Sequence, residues 1–279
     1  MRFPAVLAAF LLVIPWVIPV SSQAANPAPA PVAANLLAPR ALSTLTFNAR
    51  ASAVAKGAGA EITGARGTMG YEIVDACEGW AVRQRLQMTL TNADGQDIEM
   101  TSEYATWESK DGLKLRFHMK QMTDAAATSQ TDGDASLTAV GGPGEAHYLR
   151  PKDVTKPLPA GTMFPTAHTA ALIAAARDGK KFLALPLFDG TDEGGVQDSS
   201  IVVLDWKKPF KTEFAELTAL PSTRVRLAFF DHTPGTTTPS YQQGLRYWEN
   251  GVADEMQMDF GDFVMDGKMT ELTPLPKKC

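Results

Sequence analysis

Apolar and polar side chains alternate along most of the chain. From Leu113 to Met119 every second residue is apolar, and the residues between them are Lys, Arg and His. The same period of two recurs in Trp80–Leu90, Arg224–Phe229 and Met256–Phe260. Such a period predicts a strand with one buried and one solvated face. The chain is therefore predicted to be mostly β, with an antiparallel sheet.

Turn-forming segments separate the alternating runs. Asn92-Ala93-Asp94-Gly95 and Lys110-Asp111-Gly112 predict hairpins, and the Pro/Thr/Gly-rich segment Thr233–Ser240 predicts a loop. The predicted strands are Gly79–Thr91, Asp97–Trp107, Leu113–Met122, Phe182–Phe188, Ser199–Trp206, Arg224–Asp231, Gly244–Glu249 and Asp254–Val264. The first three of these strands form a predicted meander.

One segment does not fit the strand pattern. Thr166–Asp178 is rich in alanine and lacks alternation, which favours a helix. Pro165 is tolerated at a helix start because its missing N–H is not needed there, and Gly179 is a typical stop. One helix of three or four turns is predicted in the middle of the chain.

The first residues have the three parts of a secretory signal peptide. Arg2 is followed by an apolar run from Ala5 to Val20, and Ser22-Gln23-Ala24 fits the small-x-small cleavage rule. The alternative is an uncleaved membrane helix, but Pro15 and Pro19 interrupt a run that is already short for a span. We predict a signal peptide over 1–24, a flexible Pro/Ala-rich lead-in over 25–36 and a single domain over 37–279. No later apolar run is long enough for a span, so the processed protein is not predicted to be an integral membrane protein.

Charge and cysteine content exclude several functions. The net charge is −5 with both signs mixed, which argues against nucleic-acid binding. Two cysteines are too few for a Cys₄ zinc site or an iron–sulfur cluster. In an oxidising compartment Cys77 and Cys279 are predicted to form a disulfide, the alternative being two free thiols.

Catalytic signatures are scarce. The sequence lacks G-x-S-x-G, H-E-x-x-H, a P-loop and a Rossmann fingerprint, and its four histidines show no metal-ligand spacing. No catalytic residue, metal site or cofactor is therefore predicted. His168 lies in the first turn of the helix, where a neutral imidazole bonded to the preceding loop is favoured over a catalytic base.

Large aromatic residues also lie opposite the alternating apolar set. Trp107, Phe230 and Trp248 either line an apolar groove or belong to a two-layer core. Ten methionines follow the signal segment, and thioether side chains suit adaptable apolar ligands. A groove for a hydrophobic ligand is one hypothesis, and a closed core is the other.

Several short motifs, in order, resemble the cell-envelope integrity EipB family of Gram-negative bacteria. The resemblance covers about Leu37 to Cys279. It is carried by Ala76-Cys77-Glu78-Gly79, Phe164-Pro165-Thr166-Ala167-His168-Thr169, Leu187-Phe188-Asp189-Gly190, Trp248-Glu249-Asn250-Gly251, Phe260-Gly261-Asp262-Phe263 and the terminal Cys279. Leu37-Ala38-Pro39-Arg40 departs from the family pattern, because a His before the Arg and a following aromatic residue are missing.

The resemblance implies a periplasmic protein with a strongly curved antiparallel sheet, a β-spiral, wrapped around one central helix. That architecture is similar to LolA, LolB and the RseB amino-terminal domain. The resemblance also implies the Cys77–Cys279 disulfide and a structural role for Phe164, Pro165, Thr166, His168, Asp189 and Gly190.

Three functions follow as hypotheses. The first is a non-catalytic periplasmic protein that supports envelope integrity by binding a lipid, lipopeptide or envelope partner in an apolar groove. The second is an envelope hydrolase or transferase that uses His168 with Asp189 or Asp192. The third is a purely structural partner of another envelope protein. A hydrolase requires His168 within hydrogen-bond reach of a carboxylate in a cleft.

Overall fold

The computed structural model describes residues 36, 38–56 and 62–276. In this part of the chain, fourteen strands and three helices follow one another along the sequence. Their bounds are β1 Pro39–Phe47, α1 Ala49–Lys56, β2 Ile62–Asp75, β3 Gly79–Asn92, β4 Asp97–Ser109, β5 Lys114–Thr123, β6 Ala126–Leu137, β7 Gly144–Arg150, β8 Val154–Leu158, α2 Pro165–Arg177, β9 Phe182–Leu187, β10 Gln197–Val203, α3 Ala215–Thr218, β11 Ser222–Asp231, β12 Tyr241–Trp248, β13 Ala253–Asp259 and β14 Val264–Pro274.

All fourteen strands belong to one antiparallel sheet. Each strand pairs with the next one along the chain from β1 to β8 and again from β9 to β14, and β14 returns to pair with β1. The edges of the sheet are β8 and β9, which α2 connects. The sheet is not closed, and a single parallel bridge between Met163 and Leu187 links the segment after β8 to β9. The prediction of a mostly β, antiparallel protein is confirmed.

Helix α2 is buried around its whole circumference. Every residue from Ala170 to Ala176 is buried, as expected for a helix that is apolar on all sides. Pro165 stands at its start. At its end Gly179, with φ of 80°, donates to the Ala176 carbonyl, and Lys180 donates to the Ala175 carbonyl. These two bonds form a Schellman motif.

The apolar core lies between α2 and the inner face of the sheet. Leu172 and Ile173 of α2 pack with Ile201, Val225 and Leu227 of β10 and β11. A second cluster joins β5–β8 to the segments that flank α2 and β9, and a third joins β1, β3, β13 and β14. We call the side of the sheet that carries these clusters the inner face.

The prediction of a single helix is incomplete. Helix α1 begins after Asn48, whose Oδ1 accepts the backbone N–H of Ala51 at 2.9 Å and so caps the helix. Helix α3 has only four residues and buries Leu217 beneath Trp248. Both helices are too short for a clear period of 3.6 residues in the sequence.

The prediction of one strand over Asp254–Val264 is wrong. β13 ends at Asp259 and β14 begins at Val264, because a hairpin intervenes. Phe260 N–H donates to the Phe263 carbonyl at 3.0 Å, and Gly261 has φ of 82°, which only glycine adopts without strain. The motif Phe260-Gly261-Asp262-Phe263 is therefore a turn.

No helix within the described ranges combines the length and apolar character needed to cross a bilayer.

Candidate functional site

The loop that follows β9 lies against the inner face of the sheet and is fastened there by hydroxyl groups. Tyr104 of β4 donates to the Asp189 carbonyl at 2.7 Å, and Thr131 of β6 donates to the Gly190 carbonyl at 2.6 Å. Tyr148 of β7 donates to the Asp192 carbonyl at 2.9 Å. Three strands of the sheet thus bind three carbonyls of one loop and hold this loop against the inner face.

The two predicted structural motifs meet at the gap between the sheet edges. Phe188 N–H donates to the Met163 carbonyl at 3.0 Å, so the segment before α2 runs beside the end of β9. The Phe188 ring packs edge-on against Phe164 at 6.3 Å and against Phe117 at 5.6 Å between centroids. Phe164 and Phe188 are fully buried. The motifs Phe164–Thr169 and Leu187–Gly190 therefore pack the end of β9 and the start of α2 against β5, and we call this contact the joint.

Gly190 is required by this joint. Its φ is 72°, and a Cβ atom at this position would lie 2.3 Å from Cγ of Phe117. Any larger residue would displace the Phe117 ring from the core and strain the backbone.

Glu108 of β4 caps the start of α2 from inside the molecule. Its two carboxylate oxygens accept the backbone N–H groups of Thr166 and Ala167 at 2.7 and 2.8 Å. The side chain is 2% exposed, and burial raises the pKa of Glu108 to about 7. The residue before the helix, Phe164, has no side chain able to cap it, so a carboxylate from another strand supplies the acceptors.

The sequence prediction did not include Glu108, although a signal was present. In β4 the even positions Ile98, Met100 and Tyr104 face inward, and Glu108 falls in the same register. A carboxylate at an inward position of an alternating strand requires a partner in the interior.

His168 is buried and bonded to a hydroxyl group. Its Nε2 lies 2.7 Å from Oγ of Ser199, and Ser199 donates its own hydrogen to the Leu185 carbonyl at 2.6 Å. Because a serine has one hydroxyl hydrogen, Nε2 of His168 must carry the proton in this bond. Burial lowers the pKa of His168 to about 4, so the imidazole is neutral at neutral pH.

The carboxylates named in the catalytic hypothesis have other partners. Asp189 Oδ1 accepts the N–H and the hydroxyl of Thr191, and Asp192 Oδ1 accepts the N–H of Gly194. The hydrogen-bond partner of the His168 ring is Ser199. The arrangement pins α2 to β9 and β10, and it does not form a His–carboxylate pair.

We predict that His168→Ala lowers the free energy of unfolding by about 1–3 kcal/mol, because Ser199 loses its buried donor. His168→Gln should recover part of this loss, since its amide nitrogen can donate to Ser199. Urea denaturation measures both effects. Ser199→Ala is the matched control, and its cost should not add to that of His168→Ala. Wild-type stability combined with lost envelope function in both His168 variants would contradict a structural role.

The predicted groove residues do not come together. Trp107 of β4 lies next to Gly79 and under the Arg116 guanidinium, at 5.6 Å from the ring centroid. Phe230 lies on β11, and six strands separate β4 from β11 in the sheet. Trp248 is 3% exposed and packs with Leu217, so it is a core residue.

The inner face contains a less covered apolar surface that the sequence did not indicate. Met69, Leu86 and Ser102 are cross-strand neighbours on β2, β3 and β4, and each is only partly buried. Met100 and Tyr104 flank Ser102 on the same face of β4 and are also partly buried. In contrast, Ile201 and Leu227 on the α2 side are fully covered. We call these five residues of β2–β4 the inner surface.

A second cleft has a different chemical character. It measures about 410 Å³ and lies beside α1 and strands β11–β13. Its lining includes Arg50, Arg226, Gln242, Gln257 and Asp259. This polar lining suits a polar ligand and does not match the predicted apolar groove.

Cys77 lies in the turn between β2 and β3 and is exposed. The end of β14 lies at the same end of the strands, where Leu275 N–H donates to the Ala38 carbonyl at 2.7 Å and Arg40 pairs with Glu72 of β2. Cys279 is outside the described residues. The Cys77–Cys279 disulfide therefore stays a prediction, compatible with the strand order.

Comparisons with known proteins agree with the sequence resemblance. A model of the EipB-like family matches residues 32–276. The cell envelope integrity protein EipB of Brucella abortus (strain 2308) is 31% identical over 221 residues, which is 76% of this chain and 76% of that protein. The crystal structure of a β-barrel-like protein of domain of unknown function DUF1849 from Brucella abortus superposes with a TM-score of 0.76 and 28% identity, covering 87% of this chain and 99% of that one. The chain described here belongs to the EipB-like family.

Proposed function

We propose that this protein is a non-catalytic component of the cell envelope that binds the apolar part of a lipid, lipopeptide or envelope partner on its inner surface. The observation that carries the proposal is a difference in side-chain burial between two parts of the inner face, β10–β11 and β2–β4. Helix α2 packs over Ile201 and Leu227, which are buried, whereas Met69, Leu86 and Met100 lie at the border of the cluster of β1, β3, β13 and β14 and remain partly exposed. Apolar side chains left uncovered within a fold are typical of a ligand site.

The chemistry of the inner surface suits an acyl chain. Met69 and Met100 have flexible thioether side chains that adapt to ligands of different shape. Leu86 lies between them in the sheet, and the hydroxyls of Ser102 and Tyr104 border the apolar area. Tyr104 is bonded to the Asp189 carbonyl, whereas the Ser102 hydroxyl donates to Sδ of Met119 at 3.7 Å, a weak acceptor, so Ser102 can exchange this partner for a polar headgroup.

We further propose that the sheet curls around α2 as a β-spiral similar to LolA, LolB and the RseB amino-terminal domain. The burial of every residue from Ala170 to Ala176 supports this proposal, because a helix on one face of a flat sheet would leave its far side exposed. A spiral would place the inner surface within a concave wall with one open side.

The site is proposed to work in the periplasm. The signal segment over 1–24 and its cleavage near Ala24 lie outside the described residues, and the related Brucella protein is named a cell envelope integrity protein. A catalytic role is not proposed, since His168 is neutral, buried and bonded to Ser199.

The test is binding of a pyrene-labelled monoacylglycerol, an uncharged fluorescent lipid with an acyl chain, to the purified protein. Leu86→Lys should weaken binding at least about tenfold, because a cation on the apolar surface costs more than about 1.4 kcal/mol on binding an acyl chain. Gln87→Lys adds the same charge to the solvated face of the same strand and should leave binding unchanged. Equal binding by all three proteins, or no binding by the wild type, would contradict the proposal.

A further inference from the structure

Three large apolar side chains project from the outer face of the sheet at its β9 edge. Phe182 is 76% exposed, Leu204 is 51% exposed and Val202 is 37% exposed. Phe182 and Val202 are cross-strand partners, and Leu204 follows Val202 by two residues, so the three share a face. Since β9 is the last strand of the sheet, no further described strand lies beside Phe182. Grouped exposed apolar side chains mark interaction sites.

Four exposed lysines flank these side chains, two directly before β9 and two shortly after Leu204. They are Lys180, Lys181, Lys207 and Lys208. None of them forms an ion pair with a described residue, whereas the neighbouring carboxylates are occupied. Asp178 pairs with Arg177 at 3.7 Å, and Asp205 pairs with Arg224 at 3.1 Å. The surroundings of Phe182 are thus locally cationic in a chain whose net charge is −5.

We propose that this surface, defined as Phe182, Val202 and Leu204 with the four lysines, docks the protein on an anionic lipid bilayer. Lysines near an anionic membrane surface each contribute to attraction, and the apolar tips can enter the interfacial region. Protein–protein interfaces are depleted in lysine, so the combination fits a bilayer better than an acidic protein. Because Phe182 is 76% exposed, its ring can insert between lipid headgroups without a preformed pocket in the partner.

The docking surface is separate from the inner surface of β2–β4, and this inference does not rest on the proposed function. Phe182, Val202 and Leu204 point outward, while their neighbours Leu183, Ile201 and Val203 pack in the core with α2. A variant of one surface therefore leaves the other intact.

Co-sedimentation with vesicles tests the proposal, using protein purified from a Gram-negative periplasm and shown by mass to lack its signal segment. Binding is expected to vesicles of equal parts phosphatidylcholine and phosphatidylglycerol, and to be lost with phosphatidylcholine alone or at high salt. Lys181→Glu should weaken binding about tenfold, since one attraction becomes a repulsion. Phe182→Ser should also weaken binding at unchanged net charge.

Two matched variants serve as controls. Lys152→Glu makes the same charge change at an exposed position elsewhere, and Leu149→Ser removes a side chain that is 56% exposed on β7. Both should bind vesicles like the wild type, as should Leu86→Lys. Equal effects of Lys152→Glu and Lys181→Glu would overturn the proposal. Binding to polyglutamate without binding to vesicles would assign the surface to an acidic protein, and a dimer lost in Phe182→Ser without vesicle binding would assign it to self-association.

Discussion

Replacement of Glu108 by alanine is expected to lower the free energy of unfolding by about 3 kcal/mol at about pH 5. The change leaves the buried N–H groups of Thr166 and Ala167 without acceptors, and each buried, unpaired group costs about 1–3 kcal/mol. The start of α2 also loses its only described side-chain cap. Urea denaturation measures the effect, and a value within error of the wild type would contradict the capping role.

Glu108 and His168 are expected to change the stability of the fold in opposite directions as the pH rises. Burial raises the pKa of Glu108 from 4.5 to about 7, so between these values the folded protein holds a proton that the unfolded chain has released. Its contribution to stability therefore falls as the pH rises. Burial lowers the pKa of His168 from 6.5 to about 4, so here the unfolded chain holds the extra proton. The contribution of His168 rises with pH.

These slopes oppose each other between about pH 4.5 and 6.5, and each amounts to about 3 kcal/mol across its full window. The two groups should nearly cancel in the wild type. Glu108→Gln should leave a stability that rises with pH, and His168→Gln should leave one that falls. Burial also raises the pKa of Asp189, so the contribution of Asp189 to stability, like that of Glu108, falls as the pH rises. Parallel pH profiles for the two variants would contradict these assignments.

Cys279→Ser is expected to have the other large effect. A Cys77–Cys279 bond would close a loop of about 200 residues, and the chain-entropy model gives on the order of 5 kcal/mol as an upper value. The melting temperature should therefore fall clearly under non-reducing conditions. Cys279 is the better position to change, because Cys77 has a positive φ of 68° and its N–H is bonded to Asp75.

Reduction provides the control for this experiment. Fully reduced wild type and Cys279→Ser should melt at nearly the same temperature, since neither then has the cross-link. The double variant, with Cys77→Ser and Cys279→Ser, should be no less stable than the less stable of the two single variants, because each single change already removes the cross-link. Two free sulfhydryls found in the unreduced wild type would rule out the bond.

Local pattern was sufficient for much of the fold. The alternation over Leu113–Met119 corresponds to β5, and the Ala-rich segment between Pro165 and Gly179 corresponds to α2 within a residue at each end. These elements are readable because adjacent residues carry the whole signal: one buried face for a strand, and small apolar residues with a proline start and a glycine stop for a helix.

Other strands depend on their neighbours. β6, with the sequence AATSQTDGDASL, has only one large apolar side chain, that of Leu137, and β8 contains Pro157. They are strands because they extend the sheet from β5 by backbone pairing. Strand propensity reflects the packing that a position receives, so sequence alone gave no strand over these residues.

The sequence by itself determined the β class, the buried helix and the motifs that place this chain in its family. Only the tertiary structure decided that β14 pairs with β1, that Glu108 caps α2 and that Tyr104, Thr131 and Tyr148 hold the Asp189 loop. It also separated Trp107 from Trp248 and left Leu86 partly uncovered. Partners such as Glu108 and Thr166 are 58 residues apart, so their contact arises from the strand order and register of the whole sheet, which no local pattern records.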